Sequence, residues 1–322
     1  MNKTEVAKQY RDKFGSKIAT LTLAKTMYKE NVELFNNVED ARATLRYIEG
    51  KIGAKNRKSI PKESKYLINE ERPKNPYKLP ESDETEFKPY VIKGVNKLGI
   101  LSDIHIPYHS IEAITAALDH FKKNGVDGIY LNGDLIDFYQ LSRFQKDPRE
   151  RSAAYELKAT NDFLDSLQAA FPKAKIFYKL GNHCMRFEHY IMHKAPELLG
   201  IQAIELTSLL RLKERGIELI KDKIIAKANG LNIIHGHEFG GSVCSPVNIA
   251  RGLYLKGKAS AIQGHNHQVS EHTEPDMNGN ITTTWSVGCL CELHPAYLPI
   301  NKWAHGAAIV TLDKNGKTFN VQ

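Results

Sequence analysis

Five short polar segments of this chain have residue types and spacing suited to chemistry: Asp103-Ile104-His105, Gly133-Asp134-Leu135-Ile136-Asp137, Gly181-Asn182-His183, His235-Gly236-His237 and Gly264-His265-Asn266-His267. They offer carboxylate oxygen, amide oxygen and neutral imidazole nitrogen, a donor mixture that suits first-row transition metals. The arrangement reads as a two-metal phosphoester-hydrolysing site. The chain has 13 His, so one His beside one Asp says little. Five such segments in order say much more, because each follows an apolar run that reads as a strand. Four of them set a Gly within two positions of a candidate ligand, which lets the chain turn sharply as it leaves the strand. In open α/β sheets, ligands collect at the carboxyl ends of strands.

The elements that must position these segments follow from periodicity. From Leu98 onward the pattern predicts a strand at 98–102, a helix at 111–124, a strand at 128–132, a helix at 151–171, a strand at 175–179 and a helix at 187–199. This alternation predicts a sheet covered by helices. The later part is mostly strand-like, at 217–228, 231–235, 259–263, 268–274, 281–287 and 307–312, with tight turns such as Asn278-Gly279. A second sheet follows, and the expected fold class is α/β, a sandwich of two sheets flanked by helices.

Residues 1–50 have helical texture, with apolar positions Val6, Tyr10, Phe14 and Ile18, then Leu21, Ala24, Met27 and Tyr28, then Val38, Ala41, Leu45 and Ile48. Three short helices are predicted, broken at Gly15 and around 31–37, with Asn36 or Asn37 capping the third. Such a module is helix-turn-helix-like. Residues 51–95 read as a basic, Pro-rich linker, with Lys51, Lys55, Arg57, Lys58 and Lys62 followed by Pro61, Pro73, Pro76, Pro80 and Pro89 among charged residues. Residues 96–322 form the remaining domain.

Residues 1–95 hold 20 Lys and Arg against 14 Asp and Glu, a net of +6 out of +8 for the chain. A basic arm fits a polyanionic partner such as DNA or RNA, and a solvated tether fits it equally. The polar N-terminus has no signal-like apolar region and no run spans a bilayer, which predicts a cytoplasmic protein with no membrane partner. Cys184, Cys244, Cys289 and Cys291 show neither a disulfide-scaffold spacing nor C-x-x-C pairs, and read as buried or incidental thiols. Cys184, directly after His183, is also a candidate neighbour of the metals. Nothing in the sequence sets the oligomeric state.

Residues 98 to about 312 resemble the calcineurin-like metallophosphoesterase superfamily through D-x-H at Asp103, G-D-x-x-D at Gly133, G-N-H at Gly181, G-H within His235-Gly236-His237 and G-H-x-H at Gly264. The resemblance implies a four-layer sandwich and two divalent transition-metal ions, with manganese first and Fe, Zn, Ni or Co also compatible. It places Asp103, His105, Asp134 and His267 on one metal, and Asp134, Asn182, His235 and His265 on the other, with Asp134 bridging. It implies hydrolysis by metal-activated hydroxide, with His183 protonating the leaving group. Asp137 is expected to orient a ligand imidazole or cap a helix, and His237 to lie near the site. Two departures stand out. Phe138-Tyr139 occupies the place of the Arg-Gly of the superfamily's protein phosphatases, which argues against a phosphoserine or phosphothreonine substrate. Cys184 stands where many members carry an acid that supports the catalytic His.

Tyr139, Arg143, Phe144 and Arg186 lie close to these segments and are the candidate substrate contacts, guanidiniums for phosphate and rings for bases. Three readings follow: a phosphodiesterase or nuclease on nucleotides or nucleic acid, a small-molecule phosphomonoesterase, and a non-catalytic nucleic-acid-binding protein.

Overall fold

The computed structural model describes residues 2–15, 18–52, 77–80, 87–144, 147, 149, 152–239 and 247–322. The chain divides into two units between Thr85 and Glu86. Cys244, the basic positions Lys55, Arg57, Lys58 and Lys62, and Pro61, Pro73 and Pro76 lie outside the described residues.

The N-terminal unit contains α1 (Lys3–Phe14), α2 (Thr20–Glu30) and α3 (Val38–Ile48). Asn2 and Glu5 form a reciprocal capping box on α1, Gly15 at φ 70° closes it, and the Asn37 side chain caps α3 by accepting from Asp40 N. Val6, Leu23, Met27, Phe35, Leu45 and Ile48 form the core. In α2 the inward stripe is Leu23, Ala24 and Met27, while Leu21, expected inward, is 40% exposed. Leu23 packs instead in the cluster with Val6, Phe35 and Leu45, and the unit also holds a buried Arg11–Glu49 ion pair in which Arg11 Nε donates to Glu49 Oε1 at 2.9 Å.

The second unit runs β1 (Tyr90–Val91), β2 (Lys97–Leu101), α4 (Ile111–Lys123), β3 (Gly128–Asn132), α5 (Ala153–Ala170), β4 (Lys175–Lys179), α6 (Arg186–Lys194), α7 (Leu206–Leu209) and β5 (Glu218–Ile220). It continues with β6 (Ala226–Ala228), β7 (Leu231–Ile233), α8 (Ile249–Gly257), β8 (Ala261–Gln263), β9 (Val269–Pro275), β10 (Ile281–Val287), β11 (Ala308–Leu312) and β12 (Phe319–Val321). One six-stranded sheet has the order β12-β11-β2-β3-β4-β5, the other β1-β6-β7-β8-β10-β9. Strands β2 to β5 are parallel neighbours, with Leu98 opposite Gly128 and Gly128 opposite Lys175.

The strands β2, β3 and β4 are buried on both faces, so their side chains alternate between two cores. Leu98, Ile100, Tyr130 and Phe177 meet Leu231, Ile233, Ile262 and Val287 of the other sheet. Leu101, Ile129, Leu131, Ile176 and Tyr178 pack instead with Phe121 of α4 and Leu164 and Leu167 of α5. On the far side Leu253 of α8 packs against Ile234 and Ala261. These are the four layers of the sandwich.

Several expectations are revised. Residues 217–228 are two strands rather than one, β5 in the first sheet and β6 in the second, because the chain turns at Lys223 (φ 58°) and crosses the edge of the sandwich. The strand-like reading of the later part had no place for α8, whose Leu253 face covers the outer sheet. Helix α6 stops at Lys194 because Ala195 precedes Pro196 and leaves the helical region at φ −154°. Tyr90 and Val91, within the segment read as a linker, pair in parallel with Ala226 and Lys227.

Gly99 in β2 lies directly under Phe121, and a Cβ there would stand 2.8 Å from the ring's Cζ and nearer to its other edge atoms. Gly99→Ala is expected to cost about 1–3 kcal/mol of stability. Thermal unfolding checks this, and adding Phe121→Leu should recover part of the loss.

Candidate metal centre

All five polar segments begin at the carboxyl ends of adjacent parallel strands: β2, β3 and β4 in one sheet, β7 and β8 in the other. The loops turn back on themselves there. Asp103, His105, Asp134, His265 and His267 all have φ between 45° and 65°, a region that non-glycine residues enter only where surrounding structure compels them. The glycines explain the compulsion. A Cβ on Gly181 would lie 2.5 Å from Asp134 N and strike the Asp134 carboxylate, and one on Gly264 would strike Ser102 Oγ and Asp103 Oδ2.

Both carboxylates are buried and both are held by one oxygen. Asp103 Oδ2 accepts from His265 N at 2.8 Å and Ser102 Oγ at 2.6 Å, and Asp134 Oδ1 accepts from His183 N at 2.8 Å. The other oxygens face imidazoles. Asp103 Oδ1 lies 3.2 Å from His267 Nε2 and 3.8 Å from His105 Nε2, while Asp134 Oδ2 lies 3.2 Å from His235 Nε2. Asn182 Oδ1 is 3.3 Å from that same His235 nitrogen.

The opposite ring nitrogens decide the tautomers. His105 Nδ1 is 2.8 Å from Asp137 Oδ1, and His235 Nδ1 is 2.7 Å from the Asn132 carbonyl. Both partners only accept, so both Nδ1 atoms carry the proton and the neutral rings turn Nε2 lone pairs inward. His105 Nε2 then meets His267 Nε2 at 3.2 Å, and the buried Asp103 Oδ1 accepts no hydrogen bond at all. Lone pairs facing lone pairs in a buried site need cations between them. The ring and carboxylate atoms of Asp103, His105 and His267 fall within 4.8 Å of one another, as do those of Asp134, His235 and His265, so two trios fit two ions.

Without ions, protons take that place. Burial opposes charge on His235, but the Asp134 and Asp103 carboxylates raise its pKa to about 9. Burial and then the charge of His235 push His265 down to about 4. Burial disfavours the ionised forms of Asp103 and Asp134 too, yet the neighbouring imidazoles hold both well below the usual carboxylate range.

A sequence model of the family described as calcineurin-like phosphoesterase matches residues 97–269, more than half of the chain and every residue of both trios. The chain belongs to that family. Membership makes it a metal-dependent phosphoesterase, a hydrolase of phosphoric esters. It is 26% identical over 231 residues to the gene 54 protein of Mycobacterium phage L5, covering 67% of this chain and 89% of that protein. The gene 54 protein of Mycobacterium phage D29 is likewise 26% identical over 232 residues, with 68% and 90% covered. Among solved structures, the phosphoesterase YfcE of E. coli matches at 15% identity and a TM-score of 0.34, over 70% of this chain and 98% of its own. Vacuolar protein sorting 29 of Cryptosporidium parvum matches at 12% identity and a TM-score of 0.33, over 71% and 96%.

Around this phosphoesterase centre, Asp137 is the hub. Its Oδ1 accepts from His105 Nδ1 and, at 2.9 Å, from His183 Nδ1, so it orients an imidazole rather than capping a helix. The acid missing at position 184 is therefore supplied from position 137. Cys184 points into the core, with Sγ 3.1 Å from Tyr178 Oη, and burial raises its pKa. Burial also lowers the pKa of His183, with His105 acting in the same direction against the pull of Asp134 and Asp137. Arg186 donates to the Asp137 carbonyl at 2.9 Å and stands 2.9 Å from His183 Nε2. His237 is paired with Asp222 at 2.5 Å.

Of the expected substrate contacts, Arg143, Phe144 and Arg186 line a cavity of about 810 Å³ that has Asn182 at its edge. Tyr139 is not among that cavity's lining. Its hydroxyl accepts from Asp147 N at 3.0 Å and its ring meets Tyr108 edge-on.

The sequence reading missed four supports. Asn132 acts through a backbone carbonyl, which no side-chain motif marks. Glu238 accepts from His235 N and Gly236 N and pairs with the buried Lys179 at 3.3 Å. Its signal was available as a carboxylate one residue beyond His237. Glu156 of α5, fully buried, accepts from Phe138 N and Tyr139 N and fixes the turn after Asp137. Trp303 stands edge-on to His267 with ring centroids 4.2 Å apart.

Two outcomes are expected. Gly181→Ala should leave the far-ultraviolet circular dichroism intact but lower the metal content of the purified protein, because the new methyl displaces Asp134. In chelator, the stability owed to charged His235 is fully present below about pH 6.5 and is lost as pH rises through about 9. Thermal midpoints should fall over that range with chelator and stay level with saturating Mn.

Proposed function

We propose that this phosphoesterase is a phosphodiesterase acting on nucleotides or nucleic acid. The cavity beside Asn182 and Arg186 carries this reading, because a phosphate seated at the metal centre finds room there for a second ester arm. Asp103, His105 and His267 would hold one divalent ion and Asn182, His235 and His265 the other, with Asp134 shared between them. Two such ions supply Lewis acidity toward the phosphoryl oxygens and acidify water.

The remaining residues handle charge and protons. Asp137 keeps His105 and His183 in the tautomers that present Nε2. Arg186, now shared between Asp137 and His183, offers a planar fork to an incoming phosphate. As the guanidinium turns to the phosphate, the His183 Nε2 lone pair is freed to take a proton from solvent water and pass it to the leaving oxygen, while Nδ1 keeps its own proton on Asp137. The basic segment 1–95, with +6 of the chain's +8, gathers polyanionic substrate.

The leaving group separates these roles. His183→Ala should slow cleavage of diesters with poorly acidic leaving alcohols by about 10²–10⁴, the range of general-acid catalysis. It should slow bis-p-nitrophenyl phosphate far less, since p-nitrophenolate departs without a proton. Equal losses on both would remove the acid role, and faster hydrolysis of p-nitrophenyl phosphate than of its diester would replace a phosphodiesterase with a phosphomonoesterase.

A further inference from the structure

Helix α6 carries Arg186, His189, Tyr190, His193 and Lys194 at i, i+3, i+4, i+7 and i+8, which is one face of a helix. All five side chains line the 810 Å³ cavity that begins at Asn182. On the flank of the helix Phe187 stacks on Phe138 with ring centroids 5.5 Å apart. Across the cavity stand Arg143 and Phe144, with the guanidinium 5.4 Å from the neighbouring ring. Among the described residues, no Asp or Glu lines the cavity. Phe144 is 65% exposed and Tyr190 42% exposed, so two rings are presented where a packed helix would hide them.

Cations without acids attract a chain of phosphates, and open rings between the cations attract flat unpaired bases. Bases paired in a duplex keep their faces stacked and cannot use such rings. From Arg186 to Lys194 the helix rises ~12 Å, several times the roughly 3.4 Å that separates successive charges of one strand along a duplex axis, so the two cations reach different phosphates. The length exceeds what a mononucleotide needs.

We propose that the α6 face, with Arg143 and Phe144, is the binding arm for single-stranded nucleic acid, holding the nucleotides that flank the phosphate to be cleaved. Arg186 takes the phosphate nearest the metal centre, Lys194 a phosphate farther along, and Tyr190 and Phe144 stack the intervening bases. The assignment rests on the phosphodiesterase reading and names its substrate class.

The test measures binding and cleavage separately. Fluorescence anisotropy of fluorescein-labelled dT10 on the metal-stripped full chain is compared with Tyr190→Ala/Phe144→Ala and with Lys194→Glu. The N-terminal unit is the same in all three proteins, so the differences belong to the arm. The expected result is at least tenfold weaker binding for the ring variant, a shallower salt dependence for Lys194→Glu, and weaker binding of a duplex of equal length. With Mn restored, the ratio of dT10 cleavage to bis-p-nitrophenyl phosphate hydrolysis should fall at least tenfold in the ring variant. Unchanged affinity in both variants, tighter binding of duplex, or equal competition by inorganic polyphosphate would overturn the arm. If wild type hydrolyses bis-p-nitrophenyl phosphate and leaves dT10 intact, the arm alone fails. If it hydrolyses neither diester, the phosphodiesterase reading fails with it.

Discussion

Asp103 and Asp134 each give one carboxylate oxygen to a backbone N–H and turn the other toward imidazole nitrogens, of which those of His105 and His235 belong to rings that already carry their proton on the far side. This opposition of lone pairs in a buried place is the constraint on which the rest of the catalytic unit depends. A buried carboxylate without a cation is costly, and a neutral imidazole that turns its lone pair inward does not relieve it; without ions, proton uptake at His235 does. The protein holds this arrangement before any ion arrives. It does so through two sheets whose parallel strands end side by side, five side chains forced to positive φ, and glycines placed where any methyl would displace a ligand.

The supports outside the donor set show how firmly the arrangement is held. Asp137 fixes two imidazoles, Glu156 fixes the turn that carries Asp137, and Glu238 fixes the backbone of His235 while neutralised by Lys179. Each is a buried carboxylate spent on backbone amides or ring nitrogens. In metal sites such partners set ligand orientation and basicity. They also explain why the acid sought at position 184 is unnecessary, because Asp137 reaches His183 from the neighbouring strand end.

Much of this was legible in the sequence because ligand, glycine and strand end are adjacent in the chain. Apolar alternation located β2, β3 and β4, and the polar segments after them fell where sheets gather their ligands. What stayed hidden depends on distance along the chain. The Asn132 carbonyl has no side-chain signature, and Glu156 lies 18 residues from the Phe138 N–H it accepts. The split of residues 217–228 between two sheets was marked only by Lys221-Asp222-Lys223, three polar residues that interrupt the apolar pattern where the chain turns from one sheet to the other. Leu21 and Leu23 are two positions apart in α2, and which one turns inward is settled by the tertiary core, where Leu23 packs in one cluster with Val6, Met27 and Leu45. The α6 stripe was present in the sequence as Arg-x-x-His-Tyr-x-x-His-Lys, and it gained meaning once the cavity beside it was visible.

The central claim is that two trios of donors share Asp134 and hold two ions as a pair. The most direct measurement is low-temperature electron paramagnetic resonance of metal-stripped protein titrated with Mn. The expected result is saturation at two ions per chain with an exchange-coupled spectrum, and collapse to a single-ion spectrum in Asp134→Asn. Saturation at one ion, or two ions giving superimposed uncoupled six-line spectra, would contradict it.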